Sequence, residues 1–205
     1  MLPAPDTDGH RCVLQPNGLV VETYATIVLS SGQVVALSYS VTDPSSLGDG
    51  WQNGQTASML PSYAGQLYDN EIANGITHAI AITIPATLLV PIIRYPAYAF
   101  DRDATTANPP YSGTIPMGGR LALPGSFSIA SLGLKTPEGQ AIAIAAQQFG
   151  FIVVDRGGSG ITLRVQPNTP NQDAALHMWN SQLQADLNAI FANVQQVQFP
   201  IATYP

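Results

Sequence analysis

Between residues 75 and 85 the chain reads GITHAIAITIP, and isoleucine returns at every second position from Ile80 to Ile84. A period of two belongs to a β-strand, whose side chains alternate between faces. Ile76, His78, Ile80, Ile82 and Ile84 are therefore expected on one face, and Thr77, Ala79, Ala81 and Thr83 on the other. The strand demands a sheet with an apolar side. It also sets a titratable ring among isoleucines, where His78 is expected to be mostly buried and hydrogen-bonded to Glu71, Asp155 or a backbone carbonyl.

Composition narrows what surrounds that sheet. The 205 residues are 45% hydrophobic, enough for a sizeable core in one domain spanning 1–205. Only 10% are charged, against about 25% in an average soluble domain. Ser, Thr, Asn and Gln supply the polar surface instead, which points to an extracellular setting, secreted or on a virion surface. The net charge is −6, and seven basic residues lie scattered through the chain. Nucleic-acid binding relies on grouped Lys and Arg and is excluded as a class. No run of 18 apolar residues exists, so no membrane span is expected. The opening MLPAPDTDGH has no basic or apolar leader region. Either a leader has been removed or the protein leaves the cell another way, such as inside a virus particle. Cys12 is the single cysteine, so no intrachain disulfide or cysteine metal site can form.

Residues 19–29 and 33–41 are β-branched and apolar, joined by a short Ser-Ser-Gly link, and read as a hairpin. Residues 42–58 are a polar, glycine-rich loop carrying Trp51. Residues 61–74 are mixed, with a helix ending near Asn74-Gly75. Residues 85–118 hold six prolines and little periodicity, yet Tyr95, Tyr98, Phe100 and Tyr111 argue against disorder. A short strand follows at 120–123. Thr136-Pro137-Glu138 is a helix start, with a capping hydroxyl, proline at the first helical position and an acid in the first turn. That helix is expected to stop at Gly150. Residues 151–155 and 161–165 read as strands joined by a Gly-rich hairpin turn. Leu176, Trp179, Leu183, Leu187, Ile190 and Val194 form an apolar helical stripe, and QVQFPI a last strand. The order implies an α+β fold: a mainly antiparallel β-sheet or sandwich, compatible with a jelly roll, with two to three helices, the last near the C-terminus.

No nucleophile elbow, zinc-protease, P-loop or EF-hand motif is present. His10 lies in the N-terminal segment and His177 beside the last helical stripe, which leaves His78 with two readings: a structural ring satisfied by backbone groups, or a general base or ligand lining a pocket with a carboxylate orienting it. The chain has three glutamates. Glu138 is accounted for as a helix-start acid. Glu22 stands inside a strand, Glu71 just before the His78 strand, and Asp155 ends a strand at the Gly-rich turn. Asp101 and Asp103 form a DxD in a loop, a spacing too common to assign calcium. No metal or cofactor is expected.

Several stretches together resemble a group of uncharacterised, mostly secreted bacterial proteins. The likeness is carried by Asp8-Gly9-His10 followed by Gly18 and Glu22, by Ala64-Gly65, and by Glu71-Ile72-Ala73-Asn74-Gly75-Ile76-Thr77-His78-Ala79. It continues through Pro96-Ala97, Pro116 to Leu123, Phe149 to Asp155, and the spacing of Trp179, Leu183, Asp186 and Leu187. The likeness spans nearly the whole chain and implies a single domain. The group has no established activity, so the resemblance marks positions without a mechanism.

Two readings of function stay open. One is a non-catalytic extracellular or virion-surface domain acting in glycan binding or in homo-oligomeric or larger assembly, with Trp51, Tyr95, Tyr98, Asp101 and Arg120 facing the ligand. The other is a carbohydrate-active enzyme, a glycoside hydrolase or lyase, in which His78, Glu22, Glu71 and Asp155 converge in one cleft.

Overall fold

The computed structural model describes residues 8–45, 53–68, 70–166 and 181–197. Trp51 lies outside them, as do Leu176, His177, Trp179 and most of QVQFPI. The fold is α+β with mainly antiparallel sheets. The chain forms two compact units, and neither is one continuous piece of sequence: Met1–Ala64, Ile84–Gly118 and Val154–Ser159 make the first, and Gly65–Thr83, Gly119–Val153 and Gly160–Pro205 the second.

In the first unit the expected hairpin is present but broken in the middle. Strands β1 (Arg11–Leu14), β2 (Val20–Tyr24) and β5 (Ser38–Thr42) form an antiparallel sheet in the order β1-β2-β5, with Cys12 opposite Glu22 and Glu22 opposite Ser40. Past a kink at Ala25, whose φ is 49°, the same hairpin continues as β3 (Ile27–Val28) paired with β4 (Val34–Val35). The kink is held by the N-terminal segment, where Asp8 O accepts Ala25 N–H at 2.9 Å and Gly9 O accepts Thr26 N–H at 3.2 Å. The proline-rich stretch 85–118 is folded. Within it β7 (Leu89–Ile93) runs parallel to β8 (Ile115–Met117), and Leu89, Ala104, Tyr111 and Met117 are buried. Tyr95–Pro96 and Asn108–Pro109 are cis.

The second unit is built on the sheet β11-β6-β10-β9-β12, with β6 Ile80–Pro85, β9 Arg120–Ala122, β10 Phe151–Gly157, β11 Thr162–Leu163 and β12 Gln195–Val197. The last residues of β6 and β10 belong to the first unit. Helix α1 is a single turn, Glu71–Asn74, capped by Gly75. Helix α2 (Pro137–Gln148) begins as its sequence requires, with Thr136 Oγ1 accepting Gly139 N–H at 2.9 Å. Helix α3 (Ser181–Phe191) buries Leu183, Leu187 and Ile190 at the helical spacing. Phe191 sets its ring 4.9 Å from that of Phe151.

Two strand expectations are corrected here. Residues 151–155 and 161–165 do not form a hairpin: β11 pairs with β6, Thr162 opposite Thr83, and β6 lies between β11 and β10. The Gly-rich turn therefore carries the chain past a strand instead of folding it back. The reason lies in β6, whose Ile80, Ala81, Ile82 and Ile84 are all buried, so both of its faces and both of its edges need cover. The strand also begins later than the sequence pattern suggests, at Ile80 and not near Ile76. His78 precedes β6, at a bend, but its side chain is only 29% exposed and is hydrogen-bonded to Glu71 and to the Ala79 carbonyl, as expected.

Candidate functional site

In the first unit, Asp155 and Arg156 at the end of β10 stand beside Asp101 and Asp103 of the proline-rich stretch. Arg156 reaches Asp103 with both guanidinium ends, Nη1 to Oδ1 at 3.2 Å and Nη2 to Oδ2 at 3.3 Å, and lies 3.5 Å from Asp101 Oδ1. Burial acts to lower the arginine pKa, but the hydrogen bond to Asp103 and the two carboxylate charges outweigh it and raise it. Tyr111 donates its hydroxyl to Asp101 Oδ2. Burial first, then the Asp101 contact and charge, raises the phenol pKa strongly, against the opposing pull of Arg156. Asp155 Oδ1 accepts the N–H of Arg156 at 3.0 Å.

Arg156 lines two adjoining hollows. One, of about 740 Å3, is bounded by Pro85 to Thr87, Asp103, Asn108 and the Gly157-Gly158-Ser159 turn. The other, of about 380 Å3, is lined by Asp8, His10, Tyr24, Gln55, Asp101 and Asp155. Both lie in the range of about 300–1,000 Å3 that holds small ligands. The second is rich in acceptors and acidic, with three carboxylates against one guanidinium and one imidazole. The His10 and Tyr24 rings stand 5.4 Å apart. Its N-terminal wall depends on Gly9. That residue has φ 66°, and a Cβ there would come 2.8 Å from Thr26 N. Only glycine lets Asp8 and His10 be held against the kink at Ala25.

The four residues expected to converge do so only in part. His78 and Glu71 meet in the second unit, His78 Nε2 to Glu71 Oε1 at 2.9 Å, with His78 Nδ1 3.0 Å from Ala79 O. Both partners are acceptors, so each ring nitrogen that carries a proton donates to its own partner. Glu71 Oε2 accepts Tyr68 N–H at 2.6 Å. The pair ties the single turn α1 to the entry of β6. Glu22, in the first unit, has no exposed surface. Its Oε2 accepts Ser62 N–H and Ser62 Oγ–H, each at 2.7 Å, and its Oε1 accepts Thr42 Oγ1–H at 3.1 Å. A carboxylate walled in this way and saturated with donors does not face a substrate, and the catalytic expectation for Glu22 is withdrawn on that ground. Asp155 is the member of the set that lines a hollow.

Among the expected ligand-facing residues, Asp101 lines the smaller hollow. Tyr95 and Tyr98 are exposed in the first unit, yet neither is among the residues lining the two hollows. Arg120 belongs to the second unit, where burial lowers its pKa. His10 and Arg156 were passed over as site residues in the sequence. For His10 the local signal is Asp8-Gly9-His10, a glycine between an acid and an imidazole. For Arg156 it was the strand end Val154-Asp155-Arg156. Among the described residues no cluster of three or more His, Cys, Asp and Glu is arranged to hold a metal.

No protein-family model, curated protein or solved structure matches the chain.

Proposed function

We propose that the chain is a non-catalytic domain that binds a neutral glycan in the hollow bounded by Asp8, His10, Tyr24, Asp101 and Asp155, in an extracellular or virion-surface setting. The observation that carries this reading is the acidic, acceptor-rich lining beside an aromatic ring. Excess carboxylate repels anions, whereas sugar hydroxyls donate hydrogen bonds to carboxylates and charged acceptors make the stronger bonds. A tyrosine face suits the apolar side of a pyranose. The low content of charged residues supports the extracellular setting.

The carbohydrate-active enzyme reading is less well supported. Glycoside hydrolysis needs one carboxyl free to protonate the leaving oxygen and another poised across the bond. Both Asp101 oxygens already have partners in Tyr111 and Arg156, and Glu22 is sealed. A glycan array of neutral and acidic oligosaccharides, followed by titration calorimetry, tests the proposal. Neutral glycans should bind, and Asp155→Ala should abolish binding without lowering the melting temperature. Absence of any hit, binding indifferent to Asp155→Ala, or release of shortened products from a labelled oligosaccharide would each overturn it.

A further inference from the structure

Among the described residues, nothing covers the apolar arm of the kinked hairpin in the first unit. Ile27 and Val28 are adjacent strand residues and so point to opposite faces, yet both are exposed, Ile27 at 58%. Leu29, Val34 and Leu37 are exposed too, Leu37 at 77%. The arm is therefore apolar and open on both sides. Tyr39 and Val41 extend the exposed surface along β5, opposite the buried Ser40 and Thr42. Among the described residues, the β3–β4 ladder has no third strand, which leaves one edge of each free. Natural edge strands are blunted by lysine, proline or inward charge. Residues 27–35, IVLSSGQVV, contain none of these.

We propose that this arm is a self-association surface, covered in solution by the same arm and sheet face of a second copy of the chain. Charge selects that occupant. From residue 12 to residue 42 the one charged residue is Glu22, which is fully buried. Two copies each carrying −6 repel elsewhere, but this neutral surface can meet its own twofold image without cost. The exposed apolar side chains, both faces of the arm and the β5 face taken together, amount to on the order of 700 Å2, somewhat below the ~800 Å2 per partner of a standard stable interface. The free strand edges add main-chain hydrogen bonds, as in strand addition. A lipid surface fits less well. The tip of the arm, Ser30-Ser31-Gly32-Gln33, is polar, and no basic residue on the arm would draw it to anionic lipid. The inference does not depend on the glycan reading, because the arm and the hollow are separate sets of residues.

Sedimentation velocity from low to several hundred micromolar, with hydrogen exchange of the arm amides, tests it on the intact chain. The 21.6 kDa chain should pass to a species of twice that mass as concentration rises. Protection of residues 27–28 and 34–35 should rise in parallel. The double variant Ile27→Lys, Leu37→Lys changes two exposed positions, so it should melt at the same temperature as the parent at concentrations where both are monomeric. Its association should weaken at least ~10-fold through like-charge repulsion. A parent chain monomeric at every concentration would refute the proposal, as would association unchanged in the double variant. Arm amides protected in a monomer would mean that another part of the chain covers them. Protection by phosphatidylcholine vesicles in place of concentration would assign the arm to a lipid surface. Either result overturns the second-copy assignment.

Discussion

Glu22 and Cys12 are directly opposite one another on β2 and β1, and one hydroxyl joins their side chains: Ser62 Oγ lies 2.7 Å from Glu22 Oε2 and 3.1 Å from Cys12 Sγ. Ser62 has a single hydroxyl proton and gives it to the carboxylate, so the thiol is the donor in the outer bond. Thr42 repeats the arrangement on the other oxygen. It donates to Glu22 Oε1 at 3.1 Å and stands 3.0 Å from the Tyr63 hydroxyl, which then donates to it. The buried carboxylate thus organises two hydroxyl chains that tie β1, β2 and β5 to residues 62–63. Glu22→Gln should cost about 2–3 kcal/mol, because an amide nitrogen would face donors at one of the two oxygens. Urea unfolding measures it; a loss under 0.5 kcal/mol would show that water replaces the carboxylate's role.

Asp186, on α3, serves the start of α2. Its carboxylate accepts Thr136 N–H and Thr136 Oγ1–H at 2.8 and 2.7 Å, and Lys135 N–H at 2.9 Å. Burial alone would raise its pKa, but these bonds, with the Lys135 charge, outweigh burial and lower it. A carboxyl depressed in the folded state contributes stability above its unfolded pKa of about 3.9 and loses it as pH falls through the lower folded value. Thermal melts should therefore fall below about pH 4 in the parent chain. Asp186→Asn should be less stable by about 2 kcal/mol at neutral pH and flatter over the acid limb. Equal acid slopes in both proteins would contradict this.

Tyr111 gives the opposite sign at the alkaline end. Its phenol pKa is raised in the folded state, so its contribution is fully present below the unfolded value of about 10 and lost as pH rises toward the folded one. Tyr111→Phe leaves Asp101 with one donor fewer and should cost about 1–2 kcal/mol at neutral pH. The difference between the two proteins should shrink above pH ~10. A constant difference across that range would count against the hydrogen bond.

Gly9 links the fold to the proposed site. Gly9→Ala must either abandon a positive φ or press a methyl on Thr26 N. We expect a loss of about 1–3 kcal/mol and displacement of Asp8 and His10, with glycan affinity reduced. Normal affinity in Gly9→Ala would detach the N-terminal wall from binding.

The His78–Glu71 pair is predicted to be structural. The ring is partly exposed, so His78→Gln should cost no more than about 1 kcal/mol and leave glycan binding unchanged. Loss of binding in His78→Gln at an unchanged melting temperature would restore the residue to the site.

Local signals decided much of the architecture. The alternating isoleucines of β6, the β-branched pair around Ser30-Ser31-Gly32, the Thr136-Pro137 start and the 183–187–190 stripe act over a few residues, and each formed the element its pattern demands. Periodicity and capping are satisfied by neighbours in sequence, so a sequence displays them. Pairing is different. That β11 lies against β6 and not against β10 depends on which apolar strand is left uncovered, a competition among distant segments. The candidate site follows the same rule. Asp8, Asp101 and Asp155 are separated by scores of residues and share a hollow only because Gly9 fits the kink at Ala25 and Arg156 pairs with the Asp101–Asp103 loop. Glu22 shows the limit most plainly. A glutamate in a strand reads as a buried charge needing a function, and only the positions of Thr42, Ser62 and Tyr63 in space turn it into a structural anchor.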